Sequence, residues 1–225
     1  MDMMDHLTKY KVIVFDLGGT LMEFSGMPLN WSDYYPRGFK TVGEKNSLSL
    51  SDYEIAESSE ILRSFNPRLS GRENEIAPEV IFEQAISHWR NKPGIEIVIN
   101  DFFSGLELQP VIIDHAYKAI ETAKQIGCKA AVLTDLPNGM PDELFKDSIH
   151  DLLAHIDLYV SSQSCGYRKP SAMGISCIAD RYGIGIADLL FVGDEEKDHK
   201  TAMNAGCDFM FIDDYLKLKA KCREI

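Results

Sequence analysis

The chain has 225 residues, 45% of them hydrophobic and 26% charged, which fits a folded globular protein and excludes a mainly disordered one. A formal charge of −12 opposes a broad phosphate-binding face, so nucleic acid is not an expected partner. No stretch approaches the roughly 20 apolar residues of a membrane helix, and the acidic first residues lack the apolar run of a secretory signal.

In chain order, the first expected strand is Val12-Ile13-Val14-Phe15, apolar on both faces like a strand inside a parallel sheet. It ends in the polar, glycine-rich turn Asp16-Leu17-Gly18-Gly19-Thr20. From about Glu23 to Leu108 the pattern changes to turn clusters (Ser25-Gly26-Met27-Pro28, Asn66-Pro67, Ser70-Gly71) and helical spacing, as in Ile76, Val80, Ile81, Ala85 and Trp89. This stretch reads as a mostly helical insertion, residues 23–108, in a core domain formed by 1–22 and 109–225. Helical spacing then starts at Val111, with Ile112, Ile113, Ala116, Ala119, Ile120, Ala123 and Ile126 on one face and Gly127 as a stop. Ala130-Ala131-Val132-Leu133 is the next buried strand, ending at Thr134-Asp135. An amphipathic run from Leu144 to Ile156 leads to the strand Leu158-Tyr159-Val160, and Pro170 opens a helix that Gly183 closes. Leu189-Leu190-Phe191-Val192 ends in Gly193-Asp194, a helix through Thr201, Ala202 and Ala205 stops at Gly206, and Phe209-Met210-Phe211-Ile212 is the last strand. Strands alternating with helices in this way indicate an α/β fold with a parallel sheet covered on both faces.

Ligands of such sheets sit beyond the carboxyl ends of the strands. The residues just after the apolar runs are therefore the informative ones. Asp16 is followed by two glycines, which let backbone approach an anion closely, and a carboxylate can attack phosphorus. Asp194 and Asp198, four apart, can converge on a hard cation such as Mg²⁺. Lys169-Pro170 places a cation near a helix start, where an anion is favoured. Thr134 contributes a hydroxyl at a strand end. Each feature alone has an ordinary structural reading: a turn-forming Asp, a solvated acidic helix start, a surface Lys-Pro loop, a capping Thr. The ordered set suits a phosphoryl group.

This set resembles the haloacid dehalogenase (HAD) superfamily. Phe15-Asp16-Leu17-Gly18-Gly19-Thr20-Leu21 is similar to its first motif, Val132-Leu133-Thr134 to its second, Arg168-Lys169-Pro170 to its third, and Val192-Gly193-Asp194 through Asp198 to its fourth. The resemblance implies a Rossmann-like parallel-sheet core with a helical cap inserted after the first strand. It implies a phosphatase of a small phosphorylated metabolite, with Asp16 as nucleophile, Thr134 orienting the phosphoryl group and Lys169 neutralising it. Gly19, Thr20 and Asp135 are implied on the substrate side, and Mg²⁺ between Asp16, the Gly18 carbonyl, Asp194 and Asp198.

One departure from the pattern matters. The phosphatases usually carry a second Asp two residues after the nucleophile as general acid and base, and here that position is Gly18. A positioned acid–base group contributes about 10²–10⁴-fold. Its loss points to restricted substrates with good leaving groups, such as acyl or anomeric phosphates, or to a substitute from the insertion (Glu23, Asp33 or His88). The alternatives are a non-catalytic module that binds a phosphorylated ligand, and a dehalogenase or phosphonatase. Lys40, Lys45 and Lys92 have no surrounding motif that would nominate a Schiff-base lysine, and Asp194 with Asp198 points to a metal that the dehalogenases do not use. In the insertion, Trp31, Tyr34, Tyr35, Arg37, Arg63, Arg68 and Arg72 are candidate substrate contacts, although packing and solvation are the better reading of each. The six histidines lack the spacing of a zinc site, and the five scattered cysteines, Cys222 among them, read as reduced thiols of a cytoplasmic protein. The oligomeric state has no signature in the sequence.

Overall fold

The computed structural model describes residues 7–28 and 30–220. The N-terminal residues read above for a signal, and Cys222, lie outside them. In chain order the elements are β1 (Val12–Phe15), β2 (Met22–Phe24), α1 (Tyr35–Lys45), α2 (Asp52–Ser64), α3 (Pro67–Ser70), α4 (Pro78–Ala85) and α5 (Ile95–Leu106). They continue with β3 (Pro110–Ile112), α6 (Ala116–Gln125), β4 (Lys129–Thr134), α7 (Asp142–Ser148), α8 (His150–Leu153), β5 (Leu158–Ser161) and α9 (Ser162–Cys165). The last are α10 (Met173–Tyr182), β6 (Leu189–Gly193), α11 (Glu196–Ala205), β7 (Asp208–Phe211) and α12 (Ile212–Ala220).

Five strands form one parallel sheet in the order β5-β4-β1-β6-β7. β1 is central because it can be: all four of its side chains are apolar, and none has access to water. On one face Val12, Val14, Leu133, Val160 and Phe191 pack against Ile175 and Ile178 of α10. The register pairs Phe15 with Val132 on one side and with Val192 on the other, so β1, β4 and β6 end side by side. That alignment places Asp16, Thr134-Asp135 and Gly193-Asp194 at one edge of the sheet.

The chain divides into two compact units. One takes Pro110–Asp135 with the chain before Phe24 and after Phe145, and so holds the parallel sheet; the other takes Phe24–Gln109 and Leu136–Phe145. The second unit is helical. α2 opens with a reciprocal cap, in which Glu54 N donates to Ser51 Oγ and Ser51 N donates to Glu54 Oε2. Its core is aromatic: the Phe102 ring lies 4.9 Å from Phe39 and 5.0 Å from Phe82, and Trp89 donates its indole N–H to Ser58.

Local expectations differ from the structure at four places. Pro110–Ile112 is a strand paired with β2, not the start of a helix; Ile113 N bonds to Leu21 O, and α6 begins only at Ala116. The β-branched run Val111-Ile112-Ile113 suits a strand as well as a helix face, and a strand partner decides. Pro170 lies ahead of α10 rather than in its first turn, since that helix starts at Met173. The last strand ends at Phe211, and Ile212 opens α12. Leu136–Phe145, read as part of the core domain, clusters with the helical unit. Asn138 donates to Leu62 O at 3.0 Å and accepts from Arg72 at 3.3 Å, while Leu136 and Met140 are buried.

Candidate active site

Asp16 follows β1 directly and is 5% exposed. Lys169 Nζ lies 2.6 Å from Asp16 Oδ1 and 2.6 Å from Asp198 Oδ1, and its side chain is 2% exposed. Carboxylate oxygens of Asp16, Asp194 and Asp198 all fall within 4.8 Å of one another. Asp16, Lys169, Asp194 and Asp198 thus meet in space, although they are spread over 183 positions of sequence.

Local structure fixes each carboxylate. Asp198 is fully buried in the first turn of α11, where its Oδ2 accepts from Glu195 N at 3.0 Å. Gly193 makes this possible, because a Cβ there would come within 2.5 Å of Asp198 Oδ2. Asp194 is exposed, and its Oδ1 accepts from the buried Thr20 hydroxyl at 2.8 Å. Gly19 has φ +83°, and any side chain on it would collide with the Asp194 carboxylate. Thr20, expected on the substrate side, donates its hydroxyl hydrogen bond to Asp194. The imidazole Nε2 of His115 lies 2.9 Å from Thr20 O and helps to hold the turn.

Asp135, also expected on the substrate side, bonds within the protein as well. Its Oδ1 accepts from the Lys169 backbone N–H at 2.9 Å and its Oδ2 from Lys197 Nζ at 3.2 Å. Thr134 is the last residue of β4 and is 3% exposed. Sequence reasoning missed two cations at this edge, Arg168 and Lys197. Arg168 is 5% exposed and donates to Ser162 Oγ at 3.5 Å. Lys197 sits inside the acidic run Asp194-Glu195-Glu196-Lys197-Asp198, where its charge reads as a surface counter-ion.

Burial pushes the Asp16 carboxyl up to about 7, with Lys169 opposing and Asp198 adding to the shift. Burial would deprotonate Lys169, but Asp16, Asp198 and Asp135 outweigh it and hold the ammonium protonated. Burial would likewise raise Asp135, but Lys197, Arg168 and Lys169 keep it below the usual carboxylate range.

Four of the insertion residues considered as substrate contacts have side-chain partners inside the helical unit. Arg37 pairs with Glu107, and Arg63 with Glu60 and Asp33. Arg72 pairs with Glu75, and the Tyr35 hydroxyl meets Asn66 and Asn138. His88 Nε2 lies 3.1 Å from Glu54 O and 3.5 Å from Ser58 Oγ. The described cysteines, Cys128, Cys165, Cys177 and Cys207, are free. Among the described residues no helix is long and apolar enough to cross a membrane.

Comparison with known proteins gives the same picture. A family model for haloacid dehalogenase-like hydrolases matches residues 10–206. The phosphoglycolate phosphatase of Vibrio vulnificus (strain YJ016) is 27% identical over 206 residues, covering 88% of this chain and 81% of that one. A predicted phosphoglycolate phosphatase from Haemophilus somnus 129PT has a similar fold, with a TM-score of 0.54 and 17% identity over 89% of this chain and 84% of the other. So does YfnB of Bacillus subtilis, assigned to the HAD hydrolases and solved bound to magnesium, with a TM-score of 0.51 and 17% identity over 89% and 85% of the two chains. With a family match spanning residues 10–206, this protein belongs to the haloacid dehalogenase-like hydrolases.

Proposed function

We propose that the chain is a Mg²⁺-dependent phosphatase of small phosphorylated metabolites, acting in the cytoplasm through an aspartyl-phosphate on Asp16. One observation carries this reading: three carboxylates lie within 4.8 Å of each other, and Lys169 bridges two of them at 2.6 Å. The relatives named as phosphoglycolate phosphatases support a phosphorylated substrate, and the free thiols fit a reducing compartment.

The donor set suits a hard divalent cation, which takes carboxylate oxygens and keeps room for phosphate oxygens. Asp16, Asp194, Asp198 and the Gly18 carbonyl are the residues we assign to it. The charge count points the same way: Asp16, Asp135, Asp194, Glu195 and Asp198 outnumber Arg168, Lys169 and Lys197, so the site without a cation repels a phosphate. When bound, Mg²⁺ would neutralise charge on the transferring phosphoryl group and favour ionised Asp16.

In the reaction an Asp16 oxygen bonds to phosphorus as the bond from phosphorus to the leaving oxygen breaks. Water then hydrolyses the aspartyl-phosphate, which releases phosphate and restores the carboxylate. Lys169 neutralises the phosphoryl oxygens while staying fixed to Asp16 and Asp198, and Thr134 offers its hydroxyl to them. Thr20 and Asp135 work one step back: Thr20 orients Asp194, and Asp135 holds the Lys169 amide. We read the helical unit as the cap that selects the substrate. At Gly18 no side chain can protonate the leaving oxygen. Good leaving groups, which stabilise the negative charge they depart with, as in acyl and anomeric phosphates, lose least by this.

The test is phosphate release from an acyl phosphate, para-nitrophenyl phosphate and a sugar 6-phosphate, with and without Mg²⁺. The proposal expects Mg²⁺-dependent release from the first two, faster than from the sugar phosphate by about 100-fold or more. Equal rates on all three would contradict the role given to Gly18, and undiminished release without a divalent cation would contradict the metal. Phosphate binding without release from any of them is the result expected of a non-catalytic module.

A further inference from the structure

We infer that Lys197 is a specificity residue that receives a second anionic group of the substrate, beside the phosphoryl group attacked by Asp16. The inference rests on the phosphatase reading above and names the substrate class for that site.

Lys197 lies in the first turn of α11, just beyond β6, yet its Nζ reaches Asp135 Oδ2, 3.2 Å away, just beyond β4. In the sheet β4 and β6 flank β1, so their ends stand about 9.5 Å apart, two strand spacings. A side chain that bridges them has to pass over the end of β1, where Asp16 lies. The Lys197 charge is accordingly among those that act on the Asp16 carboxyl.

The cations at this edge differ in access. The Lys169 side chain is 2% exposed and is held at 2.6 Å by two carboxylates; Arg168 is 5% exposed. The Lys197 side chain is 29% exposed, and its carboxylate neighbours stand farther off, Asp135 at 3.2 Å and Glu195 at 3.5 Å. An ammonium has three N–H donors, so with two turned to those carboxylates one remains for a group arriving from solvent. Once a divalent cation balances the carboxylates, the bound phosphoryl group itself repels any further negative charge on a substrate, except where that charge can reach an accessible cation. Lys197 is placed to be that cation. A substrate with a carboxylate or second phosphate near its phosphoryl group gains from it, and an uncharged leaving group gains nothing.

The experiment compares matched pairs: acyl phosphates of increasing length ending in a methyl group or a carboxylate, and a sugar 1-phosphate against its bisphosphate. The readout is the ratio of kcat/KM within each pair, for wild type, Lys197→Met and Lys197→Arg. A charge-assisted hydrogen bond predicts that wild type prefers the anionic member of at least one pair by about tenfold or more. Lys197→Met should abolish that preference, and Lys197→Arg should keep most of it. The arm that responds tells carboxylate from phosphate. An equal loss on both members of every pair, or no preference in wild type, overturns the assignment while leaving the phosphatase reading intact. No phosphate release by wild type from any compound overturns both.

Discussion

Gly18 and Gly19 are neighbours with opposite constraints. Gly19 has a left-handed backbone and no room for a side chain against Asp194, so its identity is forced by the fold. At Gly18 the backbone is not left-handed, and a Cβ would have no heavy atom within 4 Å. Gly18 is therefore open to replacement, and its lack of a carboxylate bears on chemistry rather than packing. Gly18→Asp is expected to fold and to raise kcat on the sugar 6-phosphate by about tenfold or more, the lower end of what a positioned acid supplies. An unchanged rate in a folded, Mg²⁺-loaded variant would show that leaving-group protonation does not limit this enzyme. Asp16, Thr134, Lys169, Asp194 and Asp198 could be picked out in the sequence because each lies at or near a strand end or a helix start, and strand ends are where such sheets bind. Lys197 could not. Its meaning depends on Asp135 lying two strands away, and sequence spacing carries no trace of that.

At the scale of elements, β1, β4 and β6 are legible because strands buried on both faces must be apolar throughout. The elements misread are those whose identity depends on a distant partner. β3 is a strand because β2 lies beside it, and α12 rests on Ile212 and Tyr215, too short an apolar face to stand out. The segment Leu136–Phe145 looks like a Pro- and Gly-rich link, but Asn138 and Met140 dock it into the helical unit. The core of that unit is simpler to predict. Phe102 is fully buried, has Phe39, Phe82 and Phe103 rings within 5.2 Å, and packs against the bare backbone of Gly38. Phe102→Ala should cost about 3–5 kcal/mol of unfolding free energy, measured by urea titration. A cost below about 1 kcal/mol would mean that the ring cluster relaxes to fill the space.

Across the whole molecule, the two units divide the work by composition. The sheet unit gathers the charged strand ends, while the helical unit holds the ring cluster and pairs Arg37, Arg63 and Arg72 internally. The chain leaves the sheet unit immediately after Thr134 and Asp135, so Asp135, which holds the Lys169 amide, joins directly to a segment anchored by Asn138. The strong net negative charge of the chain recurs locally as the carboxylate excess around Asp16, so a cation is expected to bind there before an anion. The proposed covalent step is on Asp16. The most direct test is mass spectrometry of wild type and Asp16→Asn, acid-quenched during Mg²⁺-supported turnover of an acyl phosphate. The account predicts one added phosphoryl group on the wild-type peptide that contains Asp16, and neither adduct nor turnover in the variant. Steady phosphate release by Asp16→Asn, with no adduct on the wild-type enzyme, would contradict it.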